Sequence, residues 1–446
     1  MKTIKHLLLI LSAAAGLMFA AACDKNNADT PDGDEVFFEI DPEGICAYSI
    51  EELADAAFGP EGSNADEEMA ELREQFLKNA RQKEAELEAK YNTEGANGFA
   101  MGYLSYRYYY NSKDLDGNDV TLSARVGWAR YWLAGWHNLD PDHIYLFEHE
   151  TLTSNAECPS QDGSIMMSNL NADNLMIAPD YLGYGSSDVR THPYMNREIT
   201  ARNSMDALEA GYEVWKKYGS GTLEDDWSLR VLGFGDGAGN ALAVHKYLDT
   251  HDDLASKWRF DYSFLCAGVY DPVLTVKECL KKEKVPFAVA IPMLIKSMLA
   301  SCPDILKGFN ENDFYSDKYM DVKSKIDRML YKKETSTDDL NGKINELFGA
   351  TPTIKDILSE EALDPDSDLS QAFMTCLEKN NLTVGWTPKH QIKLFYTDED
   401  EIVPPANSKE VVSAFGDKVQ ATKIKKRSLH DDIRSAWYAQ HVLGGC

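Results

Sequence analysis

The sequence predicts an α/β protein, built on a mostly parallel, doubly wound sheet with helices on both faces. From residue 143 onward, short apolar strand segments alternate with longer segments of helical periodicity, which is typical of parallel sheets. Two aromatic and β-branched segments come before this alternation, on either side of a turn signal at 114–118, and predict antiparallel N-terminal strands. Between residues 271 and 388 the alternation stops, and the chain becomes rich in Lys, Glu and Asp. This stretch predicts a helical cap insertion over one edge of the sheet.

The individual elements follow from the spacing of the apolar residues. Strands are predicted at 103–110, 119–128, 143–147, 174–178, 229–232, 260–267, 391–396 and 420–424. Helices are predicted at 63–91, 199–218, 239–249, 407–415 and 431–441. The first helix carries one apolar face, formed by Met69, Leu72, Phe76, Ala80 and Leu87. We expect this face to pack on the core; binding of a partner protein is the alternative.

The first 22 residues have the features of an export signal. Lys2 and Lys5 precede an apolar run at 7–19, and three alanines follow it. The run is too short for an ordinary membrane span. Cys23 comes directly after the alanines, as in the lipobox of bacterial lipoproteins, although Ala20 stands where leucine is usual. We therefore expect acyl chains on Cys23 and a membrane anchor; a plain secretory signal with an unmodified Cys23 is the alternative.

These patterns divide the chain into six segments. They are a lipoprotein signal peptide at 1–22, a flexible tether at 23–36, an N-terminal helical extension at 37–100, a first part of the core at 101–271, a helical cap at 272–390, and a second part of the core at 391–446. Beyond the signal segment, no stretch of the sequence has the pattern of a membrane span.

Charge and cysteine content narrow the possible partners. The sequence has 45 Lys and Arg against 73 Asp and Glu, and its net charge of -28 argues against nucleic acid or an anionic surface as a partner. Seven cysteines follow Cys23, an odd number that leaves at least one unpaired: Cys46, Cys158, Cys266, Cys279, Cys302, Cys376 and Cys446. No residues have the spacing of a metal site, and we expect no metal and no other cofactor.

The stretch at 228–248 has the pattern of a nucleophile elbow. A short buried strand leads into a glycine-dense bend, and a helix opens on small residues. Such an elbow needs G-x-S-x-G, with the serine exposed on the tight turn. Residues 233–237 read Gly-Phe-Gly-Asp-Gly, so Gly235 stands at the serine position. Glycine adopts the strained turn conformation freely but supplies no attacking hydroxyl.

Together with three further motifs, this stretch resembles the secretory lipase and esterase branch of the α/β-hydrolases, as found in exported bacterial lipoproteins. The motifs are A-P-D-Y-L-G-Y-G-S-S at 178–187, H-P-Y at 192–194 and D-E-I-V-P at 400–404. The resemblance runs from about residue 103 to the C-terminus and covers the cap loosely. It implies an α/β-hydrolase fold and a cleft for carboxylic esters or lipids.

The resemblance also implies the two partners of the missing serine. The family's acid lies after a late strand in a D-x-x-V-P setting, which is Asp400 here, with Asp398 as the neighbour that could be confused with it. The family's histidine follows the last strand, which gives His430 and, as a competitor, His441. The chain order of nucleophile position, acid and histidine matches the family.

The resemblance places the oxyanion hole at two main-chain sites. One is the N–H of Asp236, directly after the nucleophile position, and the other lies in the loop at 147–151, where Glu150 and Thr151 correspond to the family's H-x-T element. A carboxylate at Glu150 is unusual, since it would repel a developing oxyanion unless it pointed into solvent. Ser186, Ser187, His192 and Tyr194 are expected at the edge of the cleft.

Two patterns have alternative interpretations. Asp236 could replace the serine, but it lies one residue beyond the elbow position, and we favour it as an N-cap of the following helix. The apolar stretch at 285–299 is predicted to form the core of the cap, or else a lid surface facing an acyl chain.

Three functions are compatible with these features. The leading interpretation is a pseudo-hydrolase that keeps the cleft, Asp400 and His430 but cannot form an acyl-enzyme. Its partner would be a small ester or lipid-like ligand. The protein itself would lie in the cell envelope, at the outer membrane, facing the periplasm or the cell surface. The second is an active ester hydrolase that uses Asp236 or a water activated by His430. The third is a structural or interaction lipoprotein.

Overall fold

We describe the protein from a computed structural model. The structure describes residues 100–132, 136–138, 140–161 and 174–424, together with 38–39, single residues between 51 and 89, and residues 430, 433, 434 and 437. In this part of the chain, no helix is both long enough and apolar enough to cross a membrane.

In the part of the chain that the structure describes, one mixed sheet of ten strands organises the fold. Its strands are β1 (Phe38–Glu39), β2 (Ala100–Lys113), β3 (Asp119–Trp132), β4 (Trp136–Asn138), β5 (His143–Glu148), β6 (Asn174–Pro179), β7 (Ser228–Phe234), β8 (Phe260–Cys266), β9 (Gln391–Thr397) and β10 (Val419–Ile424). They lie in the order β1-β2-β3-β6-β5-β7-β8-β9-β10, with β4 paired to β3. The strands from β1 to β3 pair antiparallel, β6 joins β3 antiparallel, and β6 through β10 are parallel. The predicted fold class is confirmed.

Helices fill the connections between the strands. They are α1 (Arg197–Tyr218), α2 (Asp236–Thr250), α3 (Asp252–Lys257), α4 (Pro272–Cys279), α5 (Ala290–Ser301), α6 (Asp317–Lys332), α7 (Thr337–Phe348), α8 (Ile354–Ile357), α9 (Glu360–Leu363), α10 (Asp368–Glu378) and α11 (Ala406–Phe415). α1 begins two residues before its predicted start, because the Asn196 side chain accepts the N–H of Ile199 and caps the helix there.

Apolar side chains cover both faces of the sheet. On one face, α1 and α2 pack over β2, β3 and β5 to β8, and the core there includes the buried Trp128, Trp215 and Leu242. The other face is lined by aromatic residues of the strands, including Phe264, and is covered by Ile433 and Trp437 from the C-terminal segment. Phe264 and Trp437 stack with ring centroids 5.3 Å apart. These aromatic contacts hold the C-terminal segment, which carries His430, against the sheet.

The seven helices between β8 and β9, α4 to α10, form the cap and enclose an apolar cluster of their own. In α5, Met293 and Met298 are buried in this cluster, Ile291 and Leu294 face a cavity over the sheet, and the buried Ile295 borders both. The stretch 285–299 therefore contributes both to the core of the cap and to the cavity.

Lys333 and Glu157 form two of the sets of polar contacts that bind the cap to the core. The Lys333 ammonium, at the end of α6, donates to the backbone carbonyls of Gly183, Asp188 and Arg190. The Glu157 carboxylate accepts the N–H of Thr337 at 3.0 Å, at the first residue of α7. These contacts fix the cap beside the loops that follow β5 and β6.

In the N-terminal part, the described residues between 51 and 89 are helical, in agreement with the predicted helix at 63–91, but the five residues of its apolar face lie outside the described residues. The predicted signal segment, Cys23 and the tether also lie outside them. Cys158, Cys266, Cys279, Cys302 and Cys376 are free thiols.

Candidate active site

The candidate site lies at the carboxyl ends of the parallel strands, where β7 turns sharply into α2. Gly235 is the only residue between the two elements, with φ of 57° and ψ of -125°. Its N–H donates to the carbonyl of Cys266 at the end of β8, over 3.0 Å. A positive φ is costly for residues with a side chain. The turn thus has the strained backbone of a nucleophile elbow, on a residue that bears it without cost.

The two outer glycines of the turn have a different role, which is steric. A Cβ atom on Gly233 would stand 2.1 Å from the carbonyl oxygen of Gly237, and one on Gly237 would stand 2.1 Å from the carbonyl oxygen of Glu148. Both contacts are backbone contacts that no side-chain movement relieves. These two positions therefore need glycine so that α2 can pack closely on β5 and β7.

Position 235, by comparison, has room for a side chain. A Cβ atom on Gly235 would have His430 Nε2 as its nearest neighbour at 3.5 Å, and the Cβ of Glu150 at 3.8 Å. These are ordinary van der Waals distances. A serine hydroxyl, one bond further out, could reach the hydrogen-bond distance of about 2.6–3.2 Å that links a nucleophile to its base.

Asp400 and His430 meet beside this turn. The Nδ1 of His430 lies 2.8 Å from Asp400 Oδ2, and both residues are buried. The other oxygen of Asp400 accepts the N–H groups of Ile402 and Val403, at 2.9 and 2.8 Å. Because the carboxylate holds Nδ1, the Nε2 atom is the one directed at Gly235. The Asp398 carboxylate instead pairs with Lys409 and Lys423 on the surface.

His430 belongs to the helical C-terminal segment, as do Ile433, Arg434 and Trp437. Its imidazole ring packs against the ring of Phe234 with centroids 4.6 Å apart. The backbone N–H of His430 donates to the Glu401 carboxylate at 3.1 Å. The competing His441 lies outside the described residues.

Asp236 is held by a buried arginine. Arg197, at the start of α1, approaches Asp236 Oδ1 to 2.8 Å with Nη2, and it also donates to the Asn240 side chain and to the carbonyl of Val269. Both charged side chains are almost fully buried. The predicted N-cap role of Asp236 is wrong, since Gly235 occupies the cap position and the carboxylate is directed at Arg197 instead. A carboxylate bound to a guanidinium is also a poor nucleophile.

The loop after β5 brings Glu150 and Thr151 to the cavity beside the turn. The Glu150 carboxylate, about one third exposed, forms an ion pair with Arg434, which neutralises its charge beside the cleft. Thr151 Oγ1 contacts the hydroxyl of Tyr194 at 3.0 Å. The main-chain N–H of Asp236, in the first turn of α2, lacks an acceptor within its own helix and is available for an oxyanion.

Two titratable side chains lie buried behind the turn, at the end of β5. Glu148 Oε2 accepts a hydrogen bond from Ser204 at 3.0 Å, and burial raises the pKa of the Glu148 carboxyl to about 7. The neighbouring His149 contacts the carbonyl of Glu150 at 2.7 Å with Nδ1. Burial lowers the pKa of His149 to about 4, so the ring is neutral at pH 7. The backbone carbonyls of both residues lie against the first turn of α2, since they would be the nearest neighbours of a Cβ atom on Gly237.

A cavity of about 470 Å³ opens above the turn and extends under the cap. Its floor is polar and includes Gly235, Asp236 and His430, with Glu150 and Arg434 at one side. Its walls are mostly apolar and come from the cap, among them Val276, Phe287, Ile291, Leu294, Phe373 and Met374. The volume and lining are typical of a site for a small organic molecule. Within the described ranges, no three His, Cys, Asp or Glu side chains are arranged to hold a metal ion.

The loop after β6 stays at the edge of this site. Ser186 and Ser187 bond to the carbonyls of Thr121 and Tyr184, at 3.0 and 2.9 Å. Tyr194 lines the cavity. His192 packs behind it, and burial lowers the pKa of its imidazole to about 4. Neither serine stands where His430 could activate it.

Arg197 and Arg434 were not predicted from the sequence as residues of the site. Both residues are distant in sequence from the carboxylates that they bind, by 39 residues for Arg197 and Asp236 and by 284 for Arg434 and Glu150. One indirect indication was Glu150, because an acidic side chain predicted beside an oxyanion hole requires a nearby cation. The sequence does not show where in the chain that cation lies.

Several solved structures resemble this architecture. The rice cell wall degrading esterase LipA from Xanthomonas oryzae aligns with a TM-score of 0.61 and 17% identity, over 80% of this chain and 92% of its own. Candida antarctica lipase A in its closed state aligns with a TM-score of 0.51 and 13% identity, over 77% of this chain and 78% of its own. The sequence matches no protein-family model and no curated protein sequence. From the sheet order, the turn after β7 and these structural matches, we conclude that the protein has the α/β-hydrolase fold of known esterases and lipases.

Proposed function

We propose that the protein is a lipase- or esterase-like pseudo-hydrolase, which binds an acyl ester or a related lipid under its cap and forms no acyl-enzyme. The observation that carries the proposal is position 235: the backbone has the elbow conformation and His430 faces it, but the residue is glycine. Without a hydroxyl there, the covalent step of serine hydrolases has no nucleophile, and most of the rate advantage of the triad is lost.

The cavity supports a binding role. Its walls are apolar along the cap and its floor carries hydrogen-bonding groups, which suits a molecule with an acyl chain and a polar end. Asp236 does not substitute for the serine, because its carboxylate is paired with Arg197.

Hydrolysis by water is the second candidate function, and the open space at position 235 favours it. A water molecule beside Gly235 could give a proton to His430 Nε2 and attack the ester carbonyl carbon. The oxyanion would accept the N–H of Asp236, and the departing alkoxide would take the proton back from His430 as the carbon–oxygen bond breaks.

The proposal includes a lipid anchor at Cys23 and a position in the cell envelope, at the outer membrane. Its support is the sequence alone: the basic start, the apolar run and the small residues before Cys23. Growth with a radiolabelled fatty acid should label the wild-type protein and leave Cys23→Ser unlabelled. Equal labelling of the two proteins would contradict the anchor.

Binding and turnover should be measured on the same preparation. We expect long-chain esters to raise the melting temperature of the protein while a series of chromogenic acyl esters gives no hydrolysis above that of His430→Ala. Hydrolysis that is lost in His430→Ala would favour the water mechanism. The absence of both binding and hydrolysis would contradict both candidates.

A further inference from the structure

On the polar floor of the cavity, the Nε2 atom of His430 has no hydrogen-bond partner among the described residues. His430 is only 7% exposed, and its Nδ1 is taken by Asp400. Among the residues that the structure describes, none forms a hydrogen bond with its Nε2, which faces Gly235 instead. In a serine hydrolase, the serine hydroxyl supplies the proton for this atom. Here the described residues supply none, so a ligand that bonds to Nε2 directly, without a bridging water, must bring the proton itself.

This requirement separates an acid from an ester. An ester has only acceptor oxygens, so it leaves the lone pair of a neutral Nε2 unpaired and buried, which is unfavourable. A carboxylic acid carries one proton to share. Whether that proton resides on the acid or on the imidazole, a hydrogen bond joins Nε2 to one carboxyl oxygen. The second carboxyl oxygen remains free to accept the N–H of Asp236.

The charges around the floor permit a carboxylate. The carboxylates of Asp236, Glu150 and Asp400 each have a cationic or hydrogen-bonding partner, namely Arg197, Arg434 and His430. The first turn of α2 borders the same space through Asp236, and the helix dipole favours negative charge there. Glu401, which also lines the cavity, accepts the backbone N–H of His430. A ligand carboxylate at the floor therefore meets no carboxylate that lacks a hydrogen-bonding partner.

The size of the cavity indicates the length of the chain. An apolar cavity of about 150 Å³ holds one benzene molecule, and this cavity measures about 470 Å³. By that scale it holds on the order of 18 carbon atoms. Its walls from Phe287 and Ile291 to Phe373 and Met374 present apolar side chains to such a chain.

We propose that the ligand is a long-chain free carboxylic acid, with its carboxyl group between His430 Nε2 and the Asp236 N–H and its chain under the cap. The inference rests on the proposed function, since it needs a cavity that binds acyl compounds. It goes further by assigning the glycine at position 235 a role: Gly235 leaves the space and the unpaired Nε2 that the acid occupies.

The test is titration calorimetry of the purified full-length protein with hexadecanoic acid, its methyl ester and hexadecanol. Because one hydrogen bond to a charged group contributes about 1.5–3 kcal/mol, we expect the acid to bind at least about tenfold more tightly than the ester. The alcohol, with one oxygen, should fall between the two.

Three variants connect this preference to the residues. His430→Phe should reduce the ratio between acid and ester to about one. Gly235→Ser should reduce it as well, because its hydroxyl satisfies Nε2 from within, and this second variant leaves the histidine in place. Lys284→Gln is the matched control, since Lys284 is an exposed cation at the rim of the same cavity; it should leave the ratio unchanged.

Each other outcome is decisive. Equal or tighter binding of the ester would overturn the inference and leave the proposed function standing. The same conclusion would follow if Lys284→Gln lost the preference for the acid while His430→Phe and Gly235→Ser kept it. An alcohol that binds as tightly as the acid would overturn the assignment of a carboxylate. If none of the three compounds binds, the proposed function fails together with the inference.

Discussion

The Nε2 atom of His430 lies 3.5 Å from the point where a Cβ atom on Gly235 would stand. The histidine is held by Asp400 at 2.8 Å, and the glycine has the positive φ of a nucleophile elbow. The site thus combines a buried histidine–carboxylate pair with a strained turn that carries no side chain.

The glycines of the turn should differ in their tolerance of alanine. At Gly237 a Cβ atom would stand 2.1 Å from the carbonyl oxygen of Glu148, so Gly237→Ala must displace backbone. At Gly235 the cost is conformational, roughly 1–3 kcal/mol for a positive φ. Urea unfolding should give a larger loss of free energy for Gly237→Ala than for Gly235→Ala. Equal losses would contradict the steric role of the outer glycine.

Arg197 should be essential for stability because it neutralises Asp236 in a buried setting. Arg197→Met leaves that carboxylate without its cation, which typically costs about 3–5 kcal/mol. The double variant Arg197→Met with Asp236→Asn removes both charges and should recover part of the loss, as measured by urea unfolding. A double variant that is destabilised by the sum of its two single variants would contradict the coupling.

The buried Glu148 should make stability depend on pH. Its folded-state pKa is raised to about 7 from a usual 4.5, so the folded protein binds a proton that the unfolded chain releases between these values. The stability that this group contributes is fully present below pH 4.5 and is lost as the pH rises through about 7.

Glu148→Gln removes this ionisation. From pH 5 to pH 8, the unfolding free energy of the variant should therefore gain about 2–3 kcal/mol relative to the wild type. Urea unfolding at the two pH values measures the difference. A constant difference between the two proteins would show that the Glu148 carboxyl is not the group responsible.

The sequence predicted the parts of this structure that depend on local patterns. Gly235, Asp400 and His430 lie in or beside recognisable short motifs, and the strands of the core were located from their apolar period. The ends of the elements were less accurate, because capping and ladder hydrogen bonds decide them; α1 begins at its Asn196 cap, two residues before the apolar pattern.

The rest of the site depends on tertiary contacts. Arg197 reaches Asp236 from the start of another helix, and Arg434 reaches Glu150 across 284 residues of sequence. No local pattern encodes these pairs. For the same reason the sequence suggested that Asp236 caps α2, whereas the folded protein directs its carboxylate at Arg197.

The most direct test of the account is intact-mass analysis after treatment with a fluorophosphonate, an agent that phosphonylates activated serines. We expect no adduct on the wild type or on Gly235→Ala, and one adduct per chain on Gly235→Ser, abolished by the further change His430→Ala. Gly235→Ala carries the same backbone cost as Gly235→Ser and no hydroxyl, so it controls for folding. An adduct on the wild type would contradict the pseudo-hydrolase, and a folded Gly235→Ser protein without an adduct would contradict the intact pair of Asp400 and His430.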